Sequence, residues 1–357
     1  MLAKSKNARL VIITKSVLVG LSGGVDSSVA VHILKEQGYK VAGCVLEMSD
    51  CHKKAVEDAR AVAAALDIEL YEVDMHSVFK AEIIDYFADT YKSGKTPSPC
   101  IICNPKVKFK ALLDTADRYG FDYIATGHYA KIEEENGIFK LRRGEIADRD
   151  QSYMLYRLEQ NVLSRLLLPL YSIEKPKVRE IARSLNLSCA DAPDSQEICF
   201  VSDNDYAGYI EREFGGMKKG EFISPDGKVC GEHKGIIHYT VGQRKGLGIA
   251  LGKPAFISKI DALENKIYLA FDMPTVDEVI LNSKVETYKG SLDIAPDKTV
   301  FVKLRSRMPA FEATIRTTPD SDMITVIPKT PVKKVPAGQG GVVYDGDTVL
   351  GGGIIDS

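Results

Sequence analysis

Over the first third of the chain, short apolar runs alternate with stretches whose apolar positions recur at helical spacing. Residues 17–21, 40–46, 69–73 and 122–126 read as strands, and residues 29–37, 53–66, 78–91 and 105–119 as helices. That alternation predicts an α/β fold with a parallel sheet covered on both faces, in which ligands sit at the carboxyl ends of the strands. Beyond Cys199 glycine becomes frequent, and residues 214–220 read as a linker or loop. From about residue 275 short alternating runs at 299–304, 311–317 and 323–327 are separated by turn signals such as Pro319-Asp320-Ser321-Asp322. Such spacing predicts a small β-barrel. The reading divides the chain into an N-terminal parallel-sheet domain (1–204), a small central domain (205–272) and a C-terminal β-barrel (273–357).

Composition changes this picture little. A chain of 357 residues, 45% hydrophobic and 27% charged, is too long for one core and ordinary for a soluble protein. It holds no uninterrupted apolar stretch of about 18 residues, so no membrane contact is expected. The first fifteen residues carry lysines before a short apolar run but lack a small-residue cleavage site, and a cytoplasmic protein is expected. A formal net charge of −2 excludes a globally basic nucleic-acid binder. Local clusters remain (Lys106, Lys108 and Lys110; Arg142, Arg143 and Arg149; Lys175, Lys177 and Arg179), each either solvated surface or a phosphate-binding patch. Seven cysteines, Cys44, Cys51, Cys100, Cys103, Cys189, Cys199 and Cys230, are an odd number in a chain without a secretion signal. Reactive or metal-binding thiols therefore suit it better than a disulfide framework.

The most informative motif is Ser22-Gly23-Gly24-Val25-Asp26-Ser27-Ser28, which joins the first apolar run to the first helix. A tight glycine turn there gathers free backbone N–H groups and the positive end of the helix dipole, a place for an anion. Glycine lets the backbone approach a phosphate, and Ser22, Ser27 and Ser28 offer hydroxyl donors. Asp26 would repel a phosphate unless it binds a metal or caps the turn, which points to magnesium-bound nucleotide. The spacing is not that of a Walker loop. It resembles the pyrophosphate loop of the ATP pyrophosphatase (PP-loop) superfamily.

Cys100-Ile101-Ile102-Cys103 follows Thr96-Pro97-Ser98-Pro99 and precedes Asn104-Pro105, with Pro105 expected at the first position of a helix. A thiol at a helix start near Lys106 and Lys108 is expected to have a lowered pKa and more of the attacking thiolate. A lone C-x-x-C also fits half a zinc site, but no second half is present. Cys199, in Asp194-Ser195-Gln196-Glu197-Ile198-Cys199-Phe200, reads on its own as a small hydrophobe. Gly127-His128-Tyr129, just after the strand ending at Thr126, lies at a strand's carboxyl end and either meets the nucleotide or is an ordinary loop. Asp150-Gln151-Ser152-Tyr153 is a cap or a surface that reads RNA, and the glycine-rich basic stretch 238–248 suits phosphates.

In that order these motifs resemble the tRNA-specific 2-thiouridylase family, which replaces the 2-oxygen of the wobble uridine by sulfur. The resemblance runs nearly the whole length, to residues 336–355. It implies that Gly20, Leu21, Ser22, Gly23, Gly24, Val25, Asp26, Ser27, Leu46 and Gly127 hold ATP with Mg²⁺. It implies Cys103 as nucleophile and Cys199 as carrier of a persulfide supplied by a cysteine desulfurase or sulfur-relay protein. His128, Arg149, Asp150, Gln151, Arg305, Ser306 and Gln339 would face the tRNA. Sulfur would reach C2 either by direct attack of the persulfide or as sulfide released when the Cys103 thiolate attacks its inner sulfur, and in the second route the two cysteines would end as a transient disulfide that reductants reset. Three departures stand out: Cys100 where many members have aspartate, Ser306 where an aromatic is usual, and a short segment 48–53. Cys100, Cys103 and Cys199 also form a candidate ligand set for a [4Fe–4S] cluster. Two rivals are an ATP-dependent amide or amidine synthetase, which needs neither cysteine, and an RNA-binding protein without catalysis.

Overall fold

The computed structural model describes residues 14–193, 198–318 and 321–356. Strand β1 (Ser16–Gly20) sits centrally, flanked by β2 (Lys40–Glu47) and β3 (Leu70–Asp74) on one side and β4 (Tyr123–Ala125) on the other. Alternate β1 side chains supply both faces. Val17 and Val19 pack with Val29, Leu34 and Val56, whereas Leu18 packs with Phe109, Leu112 and Ala116. With the two-residue strand Leu166–Leu167 beyond β4, the sheet has the order β3, β2, β1, β4, Leu166–Leu167, parallel throughout. The chain reverses direction across the sheet between β1 and β4. That switch point is the crevice such sheets use for ligands.

Helix α1 (Val25–Glu36) begins four residues earlier than the hydrophobic period indicates. Gly24 is extended at its cap, and the hydroxyls of Ser27 and Ser28 donate to the Gly24 carbonyl at 3.0 and 2.9 Å, so polar residues rather than apolar ones make the first turn. The other differences involve π turns. Residues 76–92 form one helix widened at Lys80–Ile84, and residues 99–119 another widened at Asn104–Phe109. Pro105 thus does not start a helix; Pro99 does, in the segment Pro99–Cys103. An interior proline lacks a donor and its ring crowds the carbonyl four residues back, which the wider turn relieves. Both cysteines of the C-x-x-C therefore lie on a helix running into a π turn.

A smaller sheet takes the strands Phe256–Asp261, Lys266–Ala270, Gly220–Ile223 and Val229–His233 in that order. The C-terminal strands Val279–Glu286, Ile324–Pro328, Phe311–Thr317, Val300–Lys303, Gly340–Asp345 and Thr348–Ile355 pair antiparallel in sequence. The last returns to the first, closing a six-stranded barrel around Leu281, Val302, Ala313 and Val326. A hairpin, β5 (Ala130–Glu135) and β6 (Ile138–Arg143), leaves the first sheet and joins the barrel's edge at Arg142 and Thr348. Two buried tyrosines fasten this junction: Tyr153 donates to the Gly340 carbonyl and Tyr156 to that of Gly353, both at 2.9 Å. Among the described residues no helix is long and apolar enough to cross a membrane.

Candidate active site

The loop after β1 is built by its own side chains. Gly23 has φ +75°, and a Cβ there would lie 2.6 Å from the Cβ of Asp58 in helix α2 (Lys53–Ala65), so only glycine lets α2 pack on the turn. Ser27 Oγ accepts from the Ser22 N–H at 3.2 Å while donating to Gly24. The hydroxyl protons of Ser27 and Ser28 are thus taken up within the loop, whereas Ser22 is exposed. The backbone N–H groups at the start of α1 remain for an anion.

Asp26, in the first turn of α1, is held by two groups from elsewhere. The ammonium of Lys175 donates to both carboxylate oxygens at 2.8 and 2.7 Å, and Tyr129 donates its hydroxyl at 2.8 Å. Lys175 is buried, and the carboxylate is one-third open. In the sequence Tyr129 belonged to a stretch that either meets the nucleotide or is an ordinary loop, and Lys175 to a cluster that is either solvated surface or a phosphate-binding patch, but neither was tied to Asp26. One signal was present: Lys175 opens the helix Lys175–Ser184, and a cation at a helix N-terminus opposes the dipole unless an anion answers it. The other basic clusters are largely neutralised at the surface, Lys106 by Glu82, Lys110 by Asp114, Arg142 by Glu133 and Glu135, and Lys177 by Glu180.

Gly127 follows β4 across the switch point and presses on the loop. A Cβ there would stand 2.7 Å from both the Asp26 carbonyl carbon and the Ser27 nitrogen. His128, next along, bonds Thr126 Oγ1 through Nδ1 at 2.8 Å and packs on Phe109. The surrounding protein, and secondarily Lys108, push its pKa down to about 3, so the imidazole is neutral at physiological pH. Leu46 lies near the carboxyl end of β2, half-buried between two apolar clusters.

Lys108 is where the nucleotide side meets the thiols. It lies within electrostatic reach of His128, His52, Cys103, Cys100 and Cys199. Burial works to lower its ammonium pKa, and the three thiols more than offset that. Cys103 and Cys199, 96 positions apart, are thereby brought to one place. The electrostatics of Cys103 are opposite to expectation. It is 4% exposed, and burial pushes its thiol up to about 12 against the pull of Lys108. The helix start that was to activate it also places it under the aromatic cluster of Phe79, Phe87 and Phe200. Cys199 and Cys100 are open to solvent, although Cys199 is ringed closely enough by protein for its thiol to be raised too. Residues 194–197 of the Cys199 motif lie outside the described residues.

Among the described residues no three His, Cys, Asp or Glu side chains gather as a ligand set. Cys100, Cys103 and Cys199, as placed, therefore do not fit an iron–sulfur cluster.

The residues expected to face tRNA fall on the seam between the three parts. Asp150 caps the turn Ser152–Leu155, accepting from the Gly144 N–H at 3.1 Å, the Ser152 N–H at 3.0 Å and the Ser152 hydroxyl at 3.0 Å. Gln151 Oε1 accepts from the Tyr129 N–H at 3.0 Å. Gln339 donates to the Thr96 and Pro97 carbonyls at 3.0 and 3.1 Å, and Arg305 reaches the Val241 carbonyl at 3.4 Å. Thr96 also bonds Thr240 at 3.2 Å and the Ala337 carbonyl at 2.8 Å, so all three parts clasp the strap that leads into Cys100. Arg149 and Ser306, both half-buried, flank this seam in the turns before Asp150 and after Arg305.

A parallel sheet with a glycine loop at its switch point, joined to a thiol cluster and a β-barrel, defines a PP-loop enzyme of the thiolating kind. The family models of the tRNA methyl transferase HUP domain, its PRC-barrel domain and the aminomethyltransferase β-barrel domain match residues 15–203, 208–270 and 284–355. The chain is 43% identical to the tRNA-specific 2-thiouridylase MnmA of Clostridium acetobutylicum, over 96% of this chain and 99% of that protein. To the proteins of the same name from Lachnoclostridium phytofermentans and Clostridioides difficile it is 44% and 42% identical, again over 96% of its length and 99% and 98% of theirs. The chain belongs to the tRNA-specific 2-thiouridylase family.

Proposed function

We propose that this protein adenylates the 2-oxygen of the wobble uridine of tRNA with ATP and then replaces that oxygen by sulfur. One observation carries the reading: Gly127 presses on the loop at Asp26 and Ser27, and Lys108 lies within electrostatic reach both of the neighbouring His128 and of the thiols of Cys103 and Cys199. An amide or amidine synthetase has no use for such a thiol site.

A carbonyl oxygen leaves poorly, and as the ester of AMP it leaves well. The N–H groups at the start of α1 stabilise the departing pyrophosphate. Asp26 is the loop carboxylate that would hold Mg²⁺, an ion satisfied by one carboxylate together with phosphates and water. When bound, the ion neutralises charge on the pyrophosphate. Leu46 and Gly127 line the nucleotide, and His128, Arg149, Asp150, Gln151, Arg305, Ser306 and Gln339 border the face that receives the tRNA. The target base leaves its stack to reach the site.

Exposed Cys199 takes a persulfide from a cysteine desulfurase or relay protein. The Cys103 thiolate attacks the inner sulfur, the Cys103–Cys199 bond forms, and hydrosulfide leaves with the electron pair of the broken S–S bond. Hydrosulfide adds at C2 and AMP departs. Lys108 supports the thiolate that burial resists. Anaerobic assays with ATP, Mg²⁺, a desulfurase and unmodified tRNA test this, with iron quantified in the same preparation. Cys199→Ser should release pyrophosphate but form no 2-thiouridine, and Asp26→Ala should do neither. Thiolation by Cys199→Ser, or product only from iron-loaded enzyme, would overturn the persulfide route.

A further inference from the structure

Cys51 has no part in the chemistry above, yet it stands beside Cys199. Its thiol donates at 3.6 Å to the carbonyl of Phe200, the residue that follows Cys199. Both cysteines are fixed by their neighbours. His52 is held by Ser49 through Nδ1 at 2.8 Å and meets Phe79 edge-on at 5.8 Å; Phe200 meets the same ring at 5.6 Å and Phe87 at 5.2 Å. Cys51 and Cys199 thus ride next to two anchors packed on one aromatic side chain, and both are exposed residues. Cys103, by contrast, is buried.

A Cys103–Cys199 disulfide, which rests on the reaction sequence proposed above, would have one sulfur inside the protein. We propose that Cys51 is a resolving thiol that exchanges with this disulfide and moves it to the exposed Cys51–Cys199 pair. The Cys51 thiolate attacks Cys199 Sγ, the Cys51–Cys199 bond forms, and the bond to Cys103 breaks. Its electron pair leaves on Cys103, beside the ammonium of Lys108, and the sulfur regains a proton. No net oxidation or reduction accompanies the exchange. The exposed disulfide is then reduced with two electrons by an external dithiol, which becomes a disulfide itself. An attacking thiol already in place acts at an effective concentration an external reductant does not reach.

The test maps disulfides in full-length enzyme quenched with an alkylating agent after one turnover with persulfide-loaded protein, ATP and tRNA. Wild type is expected to yield a Cys51–Cys199 peptide with Cys103 alkylated. Cys51→Ser is expected to retain Cys103–Cys199, and later turnovers supported by a dithiol should slow by about tenfold. Wild-type later turnovers in Cys51→Ser, or only Cys103–Cys199 in wild type, would overturn the proposal. Diamide oxidation of Cys103→Ala, independent of the reaction, should produce Cys51–Cys199; its absence overturns the exchange alone. A turnover that leaves no disulfide on Cys199 in either protein overturns the underlying sequence, and the exchange with it.

Discussion

Lys175 grips both oxygens of Asp26 at 2.8 and 2.7 Å from a buried position 149 residues further along the chain. The loop carboxylate that would otherwise repel ATP is thus neutralised before any nucleotide arrives. If, as proposed, Mg²⁺ were to bind Asp26 with ATP, the displaced ammonium of Lys175 would be free to meet the phosphate.

Lys175→Met should therefore damage both stability and adenylation. Removing one partner of an enclosed ion pair leaves the other charge poorly solvated, but Asp26 is one-third open to water. The expected destabilisation is about 1–3 kcal/mol, below that of a fully buried pair. Loss of a cation at the departing pyrophosphate should slow its release by about 10²-fold. Denaturant unfolding and a pyrophosphate-release assay measure the two effects, and wild-type release by Lys175→Met would remove the lysine from the reaction.

Gly127→Ala tests whether the nucleotide loop depends on close backbone contact. The added carbon meets backbone atoms of Asp26 and Ser27 at 2.7 Å, and these cannot swing aside as a side chain would. We expect overpacking to cost about 1–3 kcal/mol and pyrophosphate release to fall by about 10²-fold, because the displaced atoms begin α1. Thermal melts with the release assay check this. A variant that melts lower and adenylates normally would show that the contact serves folding alone.

How much of this was legible in the sequence follows from the range of each interaction. Four of the five strands of the parallel sheet were readable within a residue or two, because a short apolar run is a local pattern, whereas the two-residue strand Leu166–Leu167 was too short to register. The loop around Gly23 and Gly24 was readable because a glycine turn between strand and helix is local too. The pairings of Lys175 and Tyr129 with Asp26 and of Cys51 with Phe200 were not, since each joins partners more than 100 positions apart. The activation of Cys103 was misjudged for a related reason. Its helix start is local, but the aromatic cluster that buries it comes from two other segments, the helix 76–92 and the stretch around Phe200. The π turns escaped because hydrophobic period does not register one extra residue in a turn.

Gln339 links the barrel to the strap before Cys100 by two bonds to backbone carbonyls. Net hydrogen-bond contributions give an expected loss of about 1–3 kcal/mol for Gln339→Ala. The functional consequence should fall on tRNA rather than ATP: KM for tRNA rises while ATP-dependent pyrophosphate release at saturating tRNA stays within a few-fold of wild type. Limited proteolysis should cut the 93–98 strap sooner. Unchanged KM and unchanged cleavage would mean that the clasp is passive.

The pH dependence of the sulfur step follows from Cys103. Its thiol is pushed up to about 12 by burial, with Lys108 working in the opposite direction. Below that value the thiolate fraction grows about tenfold per pH unit, so single-turnover thiolation from persulfide-loaded, pre-adenylated complex should climb without a plateau from pH 7 to 9. Lys108→Met removes the cation that favours the thiolate, raises the thiol further and should slow the step across this range. The sign for stability is set by the same inequality. An unfolded cysteine ionises near 8.5, before the folded one, so this group has no effect on stability well below pH 8 and costs stability as pH rises from about 9 toward 12. Cys103→Ser should flatten that alkaline decline in urea unfolding. A thiolation rate independent of pH over 7 to 9 would mean that Cys103 is uncovered, and ionised, before it attacks.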